Sequence, residues 1–362
     1  MHQLLRMTFA LLLAISASTY LTGCGKSDSG STGNQSSTDG ESGEAAGTAP
    51  DASTEGEPSA SAESKYKIAF ITNTVADFWE YARAGVADAE ATFGDVEVEF
   101  RFGDGTSGKQ KEIVEDLLTR GVKGIAISPV APAQQSAQIN RWIDNDGAII
   151  ICQDSDAPDS KRAAYLGTDN VEAGRQCGEL IKEALPDGGK IMCFVGLKDQ
   201  QNAIERYQGI KEALEGTNIE VLDLRADNGE RGKARENAED TLTKYPDIAG
   251  LVGLWSYNAP AILAAVNDAG KLGQVKIIAF DEDPNTLTAI DEGHIHGTVV
   301  QDPYEFGRKS VELLRSLLQG QTASDVGVPE NGLIYVPTNL IRKGEGVKAK
   351  EHYDSLKAKV NK

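Results

Sequence analysis

The stretch that decides the fold reads Ala148-Ile149-Ile150-Ile151-Cys152-Gln153-Asp154-Ser155-Asp156. Its continuous apolar run has no polar alternation, which is typical of a strand covered on both faces in a parallel sheet. The run then ends on carboxylates. In an open parallel α/β sheet, ligands bind in the crevice beyond the carboxyl ends of the strands. We therefore predict a buried strand that carries Asp154 into a ligand site.

Other apolar strands end on polar side chains in the same way. Because the carboxyl ends of parallel strands share one edge of a sheet, we expect these side chains in a common polar site for a small molecule. They are Asn73 after residues 67–72, Asp281 after residues 276–280, and Gln301 after residues 297–300.

From residue 66 onward strands alternate with helices, which predicts βαβ units and parallel sheets. The pattern forms two similar series that join near residues 167–170, where Asp169 or Asn170 can cap the next helix. Two such series predict an α/β protein with two doubly wound parallel-sheet lobes. A last helix is expected over residues 303–318 and a terminal strand over 333–341. Strands are expected near 66–73, 96–102, 124–128, 148–153 and 163–168, then near 190–196, 219–225, 250–255, 275–281 and 296–301.

The first 24 residues have the features of a targeting segment. The apolar core at residues 9–15 is too short to span a bilayer. Leu21-Thr22-Gly23-Cys24 resembles the lipobox of bacterial lipoproteins, which implies that Cys24 is lipidated and becomes the mature N-terminus. The alternative is an ordinary signal peptide with a chance cysteine. Residues 25–64 have no large apolar side chain, so they are expected to form a disordered acidic tether of about 35 Å average span.

Composition argues against several other classes of function. The net charge of -19 and the lack of a basic, aromatic-rich cluster argue against nucleic acid as a partner. Residues 103–109 match a dinucleotide fingerprint, but neither the acidic ribose partner nor the P-loop hydroxyl follows, so no cofactor is expected. His294 and His296 lack a third metal ligand at a suitable spacing and are predicted to be surface residues. No nucleophile elbow or zincin helix occurs, and an enzyme is the minor alternative.

Aromatic and cationic side chains also stand near the predicted site. Phe78-Trp79 begins a helix, and because neighbouring helical residues point about 100° apart, we expect at most one ring to be fully core-facing and the other to face the cleft. The alternative is that both rings belong to the core. Trp255 follows another strand and is a second candidate wall for the apolar face of a sugar ring. Arg206 offers a planar fork of donors, with a surface salt bridge as the alternative. Cys152, Cys177 and Cys193 are expected to be buried thiols.

Over residues 65–343 the chain resembles type 1 periplasmic sugar-binding proteins of ABC importers, the group that contains the ribose-binding protein. The resemblance implies two α/β lobes joined by a three-crossing hinge, with crossings near 168–170, 301–303 and 332–335. The first lobe would comprise 65–168 and 302–332, the second 169–301 and 333–345, with a tail at 346–362. The matching motifs are Ile68-Ala69-Phe70-Ile71-Thr72-Asn73 with Phe78-Trp79, Gly124-Ile125-Ala126-Ile127-Ser128-Pro129, Asp154-Ser155-Asp156-Ala157-Pro158, Gly167-Thr168-Asp169-Asn170, Glu205-Arg206-Tyr207-Gln208-Gly209, Ala279-Phe280-Asp281 and Gln301-Asp302-Pro303-Tyr304.

The same resemblance implies roles for individual side chains. The aromatic pair would sandwich a sugar ring, and four polar residues would bond its hydroxyl groups. The family's asparagine from the second lobe would be replaced by Trp255 or Asn258. Ser155 stands where ribose-type members have arginine, so a sugar other than ribose is expected. The ligand-binding candidates are Asn73, Phe78, Trp79, Asp154, Arg206, Trp255, Asn258, Asp281 and Gln301.

Together these features predict a monomeric, lipid-anchored binding protein of the cell envelope. It would close on a monosaccharide or related polyol and deliver it to an ABC permease in the membrane, without catalysis. The alternative is a ligand-sensing subunit for a membrane receptor or sensor kinase that uses the same pocket.

Overall fold

The computed structural model describes residues 65–360. The predicted signal peptide, Cys24 and the tether at 25–64 lie outside these residues. Within the described part, no helix combines the length and apolar character needed to cross a bilayer.

The chain alternates strands and helices, as the sequence predicts. The elements of the first half are β1 (Tyr66–Ile71), α1 (Asp77–Phe93), β2 (Val96–Arg101), α2 (Ser107–Thr119), β3 (Gly124–Ile127), α3 (Pro132–Asp146), β4 (Ile149–Gln153) and β5 (Ala164–Gly167). Those of the second half are α4 (Asn170–Ala184), β6 (Gly189–Val195), α5 (Gln201–Leu214), β7 (Ile219–Ala226), α6 (Arg231–Lys244), β8 (Ile248–Gly253), α7 (Asn258–Asp268), β9 (Lys276–Phe280), α8 (Pro284–Glu292) and β10 (Gly297–Val300). The last are α9 (Pro303–Leu318), β11 (Leu333–Tyr335), β12 (Asn339–Arg342) and α10 (Gly346–Val360).

These strands form two six-stranded sheets, which confirms the predicted two-lobed α/β fold. The order of the first sheet is β11-β5-β4-β3-β1-β2 and that of the second is β12-β10-β9-β8-β6-β7. All pairs are parallel except the one between β10 and β12. The central strands β3 and β4 are almost wholly buried, as expected for apolar runs covered by helices on both faces.

Helix starts follow local capping chemistry. Asp169 caps α4, as the sequence suggested, because its side chain accepts a hydrogen bond from the backbone N–H of Glu172 at 3.0 Å. Pro303 opens α9, where a missing N–H costs nothing. The side chain of Asp302 accepts from the N–H of Glu305 at 3.0 Å. These caps set the points at which the chain leaves each strand edge.

The terminal strand expected over 333–341 is instead two strands in different sheets. β11 pairs in parallel with β5 of the first sheet, and β12 pairs antiparallel with β10 of the second. The third crossing therefore lies at residues 336–338 and not at 332–335. Pro337 accounts for the break, because it has no backbone N–H to continue a ladder.

The expected tail at 346–362 contains the helix α10, which contacts both lobes. On the first-lobe side, Leu356 is buried with Tyr81 of α1, and the rings of Tyr353 and Tyr81 are 5.0 Å apart. On the second-lobe side, the N–H groups of Gly346 and Val347 donate to the carboxylate of Asp291 in α8 at 3.1 and 2.7 Å. The few apolar residues of α10 give little periodicity, which is why the sequence did not reveal its docking.

Candidate functional site

A cavity lies where the strand ends of both sheets meet. Within the described residues its lining includes eight of the nine predicted ligand-binding residues. Its unfilled space, counted together with the solvent at its open mouth, is about 340 Å³. The lining residues are Asn73, Thr74, Ala76, Phe78, Trp79, Asp154, Asn202, Arg206, Trp255, Ser256, Tyr257, Asp281 and Gln301.

Two aspartates at equivalent strand ends hold an unusual backbone conformation. Asp154 follows β4 with φ 61°, and Asp281 follows β9 with φ 69°. This left-handed region is uncommon for residues other than glycine and is found at functional sites, where the surrounding structure enforces it. A hydroxyl group holds each of the two carbonyls, because Tyr165 donates to the carbonyl of Asp154 at 3.0 Å and Thr298 donates to that of Asp281 at 2.8 Å.

The carboxylate of Asp154 is buried and accepts hydrogen bonds from both lobes. Ser128 of the first lobe donates to it at 2.9 Å, and the amide of Asn202 in the second lobe donates at 3.2 and 3.3 Å. Burial raises the pKa of Asp154 to about 6, while the positive charge of Arg206 opposes that rise. Asp154 therefore joins the lobes while offering acceptor capacity to a ligand.

Asp281 and Gln301 form a second hydrogen-bonded group in the cavity wall. Gln301 donates through its amide nitrogen to Asp281 at 2.8 Å, and its amide oxygen accepts from the hydroxyl of Thr168 at 2.8 Å. Burial raises the pKa of Asp281, again against the charge of Arg206. Thr168 and Gln301 stand at two chain crossings, so this group links the cavity to the hinge.

Arg206 lies inside the cavity wall and forms no surface salt bridge. It is 1% exposed, and it donates to the side-chain oxygen of Asn170 at 3.0 Å and to the carbonyl of Leu254 at 2.8 Å. Its guanidinium carbon stands 4.7 Å from the ring centroid of Phe280. Among the described residues, its Nη2 atom finds no hydrogen-bond partner. An unpaired buried donor is costly, so the site is suited to a ligand that supplies an acceptor.

Aromatic side chains form the apolar part of the wall. Phe78 and Trp79 are both buried and both line the cavity, where only one was required by helix geometry. Their rings meet at 88°, so they form a corner and cannot both lie parallel to one sugar ring. Trp79 donates from its indole N–H to the side chain of Asn73 at 3.0 Å. The predicted sandwich is thus replaced by a corner, with Trp255 in the wall of the second lobe.

Comparison with known proteins agrees with this geometry. The periplasmic binding protein domain family matches residues 68–322. The chain belongs to this family.

The names of several relatives of this periplasmic binding protein include a sugar. The ribose import binding protein of Escherichia coli is 25% identical over 73% of this chain and 88% of its own length. The D-allose-binding periplasmic protein of the same organism is 25% identical over 71% of this chain and 86% of its own. An ABC transporter solute binding protein of Burkholderia graminis, solved in complex with D-arabinose, is 27% identical with a TM-score of 0.72, and the match covers 79% and 98% of the two chains.

Asn258 is the predicted residue that does not line the cavity of this periplasmic binding protein. It is fully buried behind the wall, where its amide nitrogen donates to Asp227 at 2.8 Å and its oxygen accepts from the N–H of Trp255 at 3.0 Å. Both ends of the amide are therefore engaged by the protein. Of the two alternatives for the second-lobe position, Trp255 faces the cavity.

Asn202 lines the cavity but escaped the sequence reasoning. It lies on α5, four residues before Arg206, a spacing that places two side chains on one helix face. That spacing was the available signal. Its amide oxygen is buried and has no partner among residues 65–360.

The remaining motifs took structural roles. Cys152, Cys177 and Cys193 are buried free thiols, as predicted. His294 is exposed, with its Nδ1 atom 3.2 Å from a carboxylate oxygen of Glu292, and His296 is half-buried, with its Nε2 atom 3.6 Å from a carboxylate oxygen of Glu183. In the described part of the chain no cluster of His, Cys, Asp and Glu could hold a metal ion.

Proposed function

We propose that this chain captures one monosaccharide, or a related polyol, between its two lobes and delivers it to an ABC importer. The observation that carries the proposal is the convergence of polar strand ends from both lobes on one cavity with aromatic walls. Sugars present hydroxyl groups around C–H-rich faces, so they need paired donors and acceptors beside apolar surface. The sugar-binding names of the relatives support the same ligand class.

Individual roles follow from the contacts. The carboxylates of Asp154 and Asp281 would accept from sugar hydroxyls, and the unpaired Nη2 of Arg206 would donate to a sugar oxygen. Phe78 and Trp79 would cover two sides of the ring. The other proposed contacts are Asn73, Asn202, Trp255 and Gln301.

Closure is coupled to binding through contacts made by both lobes. Besides the bond between Asn202 and Asp154, Gln200 of the second lobe donates to Ser128 of the first at 3.4 Å. A sugar held by side chains from both halves stabilises the closed state only, because an open cleft separates those side chains.

The assembly around the binding unit completes the proposal. We take the first lobe as residues 65–168 with 302–335 and the second as 169–301 with 339–345, and we take the protein as a monomer.

A lipid on Cys24 would hold the protein at the membrane through the tether. Cys24→Ser should then release the protein into the soluble fraction and abolish labelling by a radioactive fatty acid. Retention of the label in that variant would contradict the anchor.

Calorimetry tests the ligand class directly. The purified protein is titrated with D-ribose, D-allose, D-arabinose, D-glucose and D-galactose, and at least one is expected to bind with a Kd near or below about 1 μM, which is about -8 kcal/mol. X-ray scattering should show compaction with that sugar alone. Absence of heat with every monosaccharide and polyol tried would refute the proposal.

A strain lacking the gene tests delivery. It should import the bound sugar more slowly, and the wild-type gene should restore uptake.

A further inference from the structure

Asp227 occupies a buried position just behind the cavity wall. It follows β7, beside Gly196 at the end of β6 and Trp255 beyond the end of β8, so three adjacent strand ends meet here. Asp227 is 1% exposed and does not line the cavity. A buried carboxylate outside the binding surface requires a structural or positioning reason.

Its hydrogen bonds supply that reason. The carboxylate accepts from the hydroxyl of Tyr257, from the amide nitrogen of Asn258 at 2.8 Å and from the N–H of Gly229 at 2.9 Å. The other end of the Asn258 amide accepts from the N–H of Trp255 at 3.0 Å. The carboxylate of Asp227, which can only accept, therefore holds Tyr257 directly and the backbone of Trp255 through the amide of Asn258.

Packing leaves these two rings little freedom. A Cβ atom on Gly196 would lie 2.0 Å from the indole of Trp255 and 2.7 Å from the hydroxyl of Tyr257, so both side chains rest on bare backbone. The rings of Trp255 and Tyr257 are 6.3 Å apart at 76°. The guanidinium carbon of Arg231 lies over the Tyr257 ring, 5.8 Å from its centroid.

The indole N–H of Trp255 is buried and unpaired within residues 65–360. The hydrogen bonds that begin at Asp227 end at the backbone N–H of Trp255. The indole ring itself is held by packing against Gly196, and its own N–H is the donor left free in this group.

We propose that Asp227 is a positioning residue that fixes the Trp255–Tyr257 wall and so holds the indole N–H of Trp255 in place to donate to an oxygen of the bound sugar. This inference rests on the proposed function. Asp227 touches no ligand, and it acts on affinity through the direction of that donor.

Exchanging the side chains of Asp227 and Asn258 tests the hydrogen bond between them. Asp227→Asn turns one acceptor into a donor that faces the amide nitrogen of Asn258, and affinity should fall about tenfold, the cost of one misdirected hydrogen bond. The double variant Asp227→Asn/Asn258→Asp restores one donor and one acceptor to the pair, and it should recover most of the loss. Asp240→Asn, which removes an exposed carboxylate of α6 in the same lobe, is the matched control.

The probe is whichever of D-ribose, D-allose, D-arabinose, D-glucose and D-galactose binds the wild-type protein most tightly, and thermal unfolding of every unliganded variant reports folding. Wild-type affinity in Asp227→Asn, or a double variant that binds no better than Asp227→Asn, would overturn the inference.

A measurement without sugar separates this inference from the proposed function. The chain has three tryptophans, so 5-fluorotryptophan labelling gives three ¹⁹F signals, from Trp79, Trp142 and Trp255. In Asp227→Asn the Trp255 signal should move or broaden while the other two stay, and the double variant should restore it. If no sugar binds the wild-type protein, the proposed function fails. An unmoved Trp255 signal shows that Asp227 does not position the wall.

Discussion

Replacing Asp154 with asparagine should stabilise the unliganded protein near neutral pH. The folded protein raises the pKa of this carboxyl from 3.8 to about 6, mainly through burial. Between these values the folded state holds a proton that the unfolded state has lost, so stability falls as pH rises. Above the folded-state pKa the loss of stability is complete. The difference between the two pKa values corresponds to a loss of about 3 kcal/mol in the free energy of unfolding. Asp154 is only 3% exposed, so solvent screening reduces this figure little.

Asparagine resembles the protonated carboxyl, so the variant should escape this penalty. Urea unfolding of both unliganded proteins at about pH 4 and about pH 7.5 checks the sign. The free energy of unfolding of Asp154→Asn, relative to the wild-type protein, should rise by about 2 kcal/mol between about pH 4 and about pH 7.5. This is the part of the wild-type loss of stability that occurs between those two pH values. Asp144→Asn, which removes an exposed carboxylate of the first lobe, controls for a general charge effect. An advantage for Asp154→Asn that does not change with pH would refute the burial argument.

Three further predictions concern binding and packing. Asp281→Asn should weaken sugar binding by about 1–3 kcal/mol through the loss of a charged acceptor, measured by calorimetry, and an unchanged affinity would remove this residue from the site. Leu356→Ala should lower the free energy of unfolding by about 2–4 kcal/mol, whereas Val347→Ala on the exposed side of α10 should stay within about 0.5 kcal/mol; equal urea midpoints would show that α10 is not docked. Gly85→Ala should prevent α1 from packing on α9, because its Cβ would lie 1.9 Å from a backbone carbonyl of α9, while Gly108→Ala in α2 meets no atom within 4 Å and should be neutral or slightly stabilising in thermal unfolding.

The fold was largely predictable because its signals are local. Apolar runs such as β4 are typical of buried parallel strands, and Pro303 and Asp169 mark helix starts through backbone chemistry alone. The third crossing was misplaced because the two apolar stretches of β11 and β12 were taken as one strand across Pro337, and sheet membership depends on partners distant in sequence. Pro337 was the signal that could have divided them.

The site residues that directly follow strands could be predicted from the sequence. Asp281 and Gln301 follow strands directly, so the parallel topology alone brings them together. To predict that Asn202 lines the cavity, one would have had to know which face of α5 points toward it. Asn258 was one of two candidates for the family's second-lobe asparagine, and the spacing did not decide between it and Trp255. Its amide is used by Asp227, a partner that no spacing rule identifies.

The paired aspartates have an evolutionary consequence. β4 and β9 hold the same place in their sheets, and each is followed by a left-handed aspartate whose carbonyl is held by a hydroxyl from the next strand. Such repetition of one device in both halves is the pattern expected of an internal gene duplication. A ligand would then lie near a pseudo-twofold axis, in contact with related atoms from both halves, and differences between the two strand ends would let the site distinguish the two ends of that ligand.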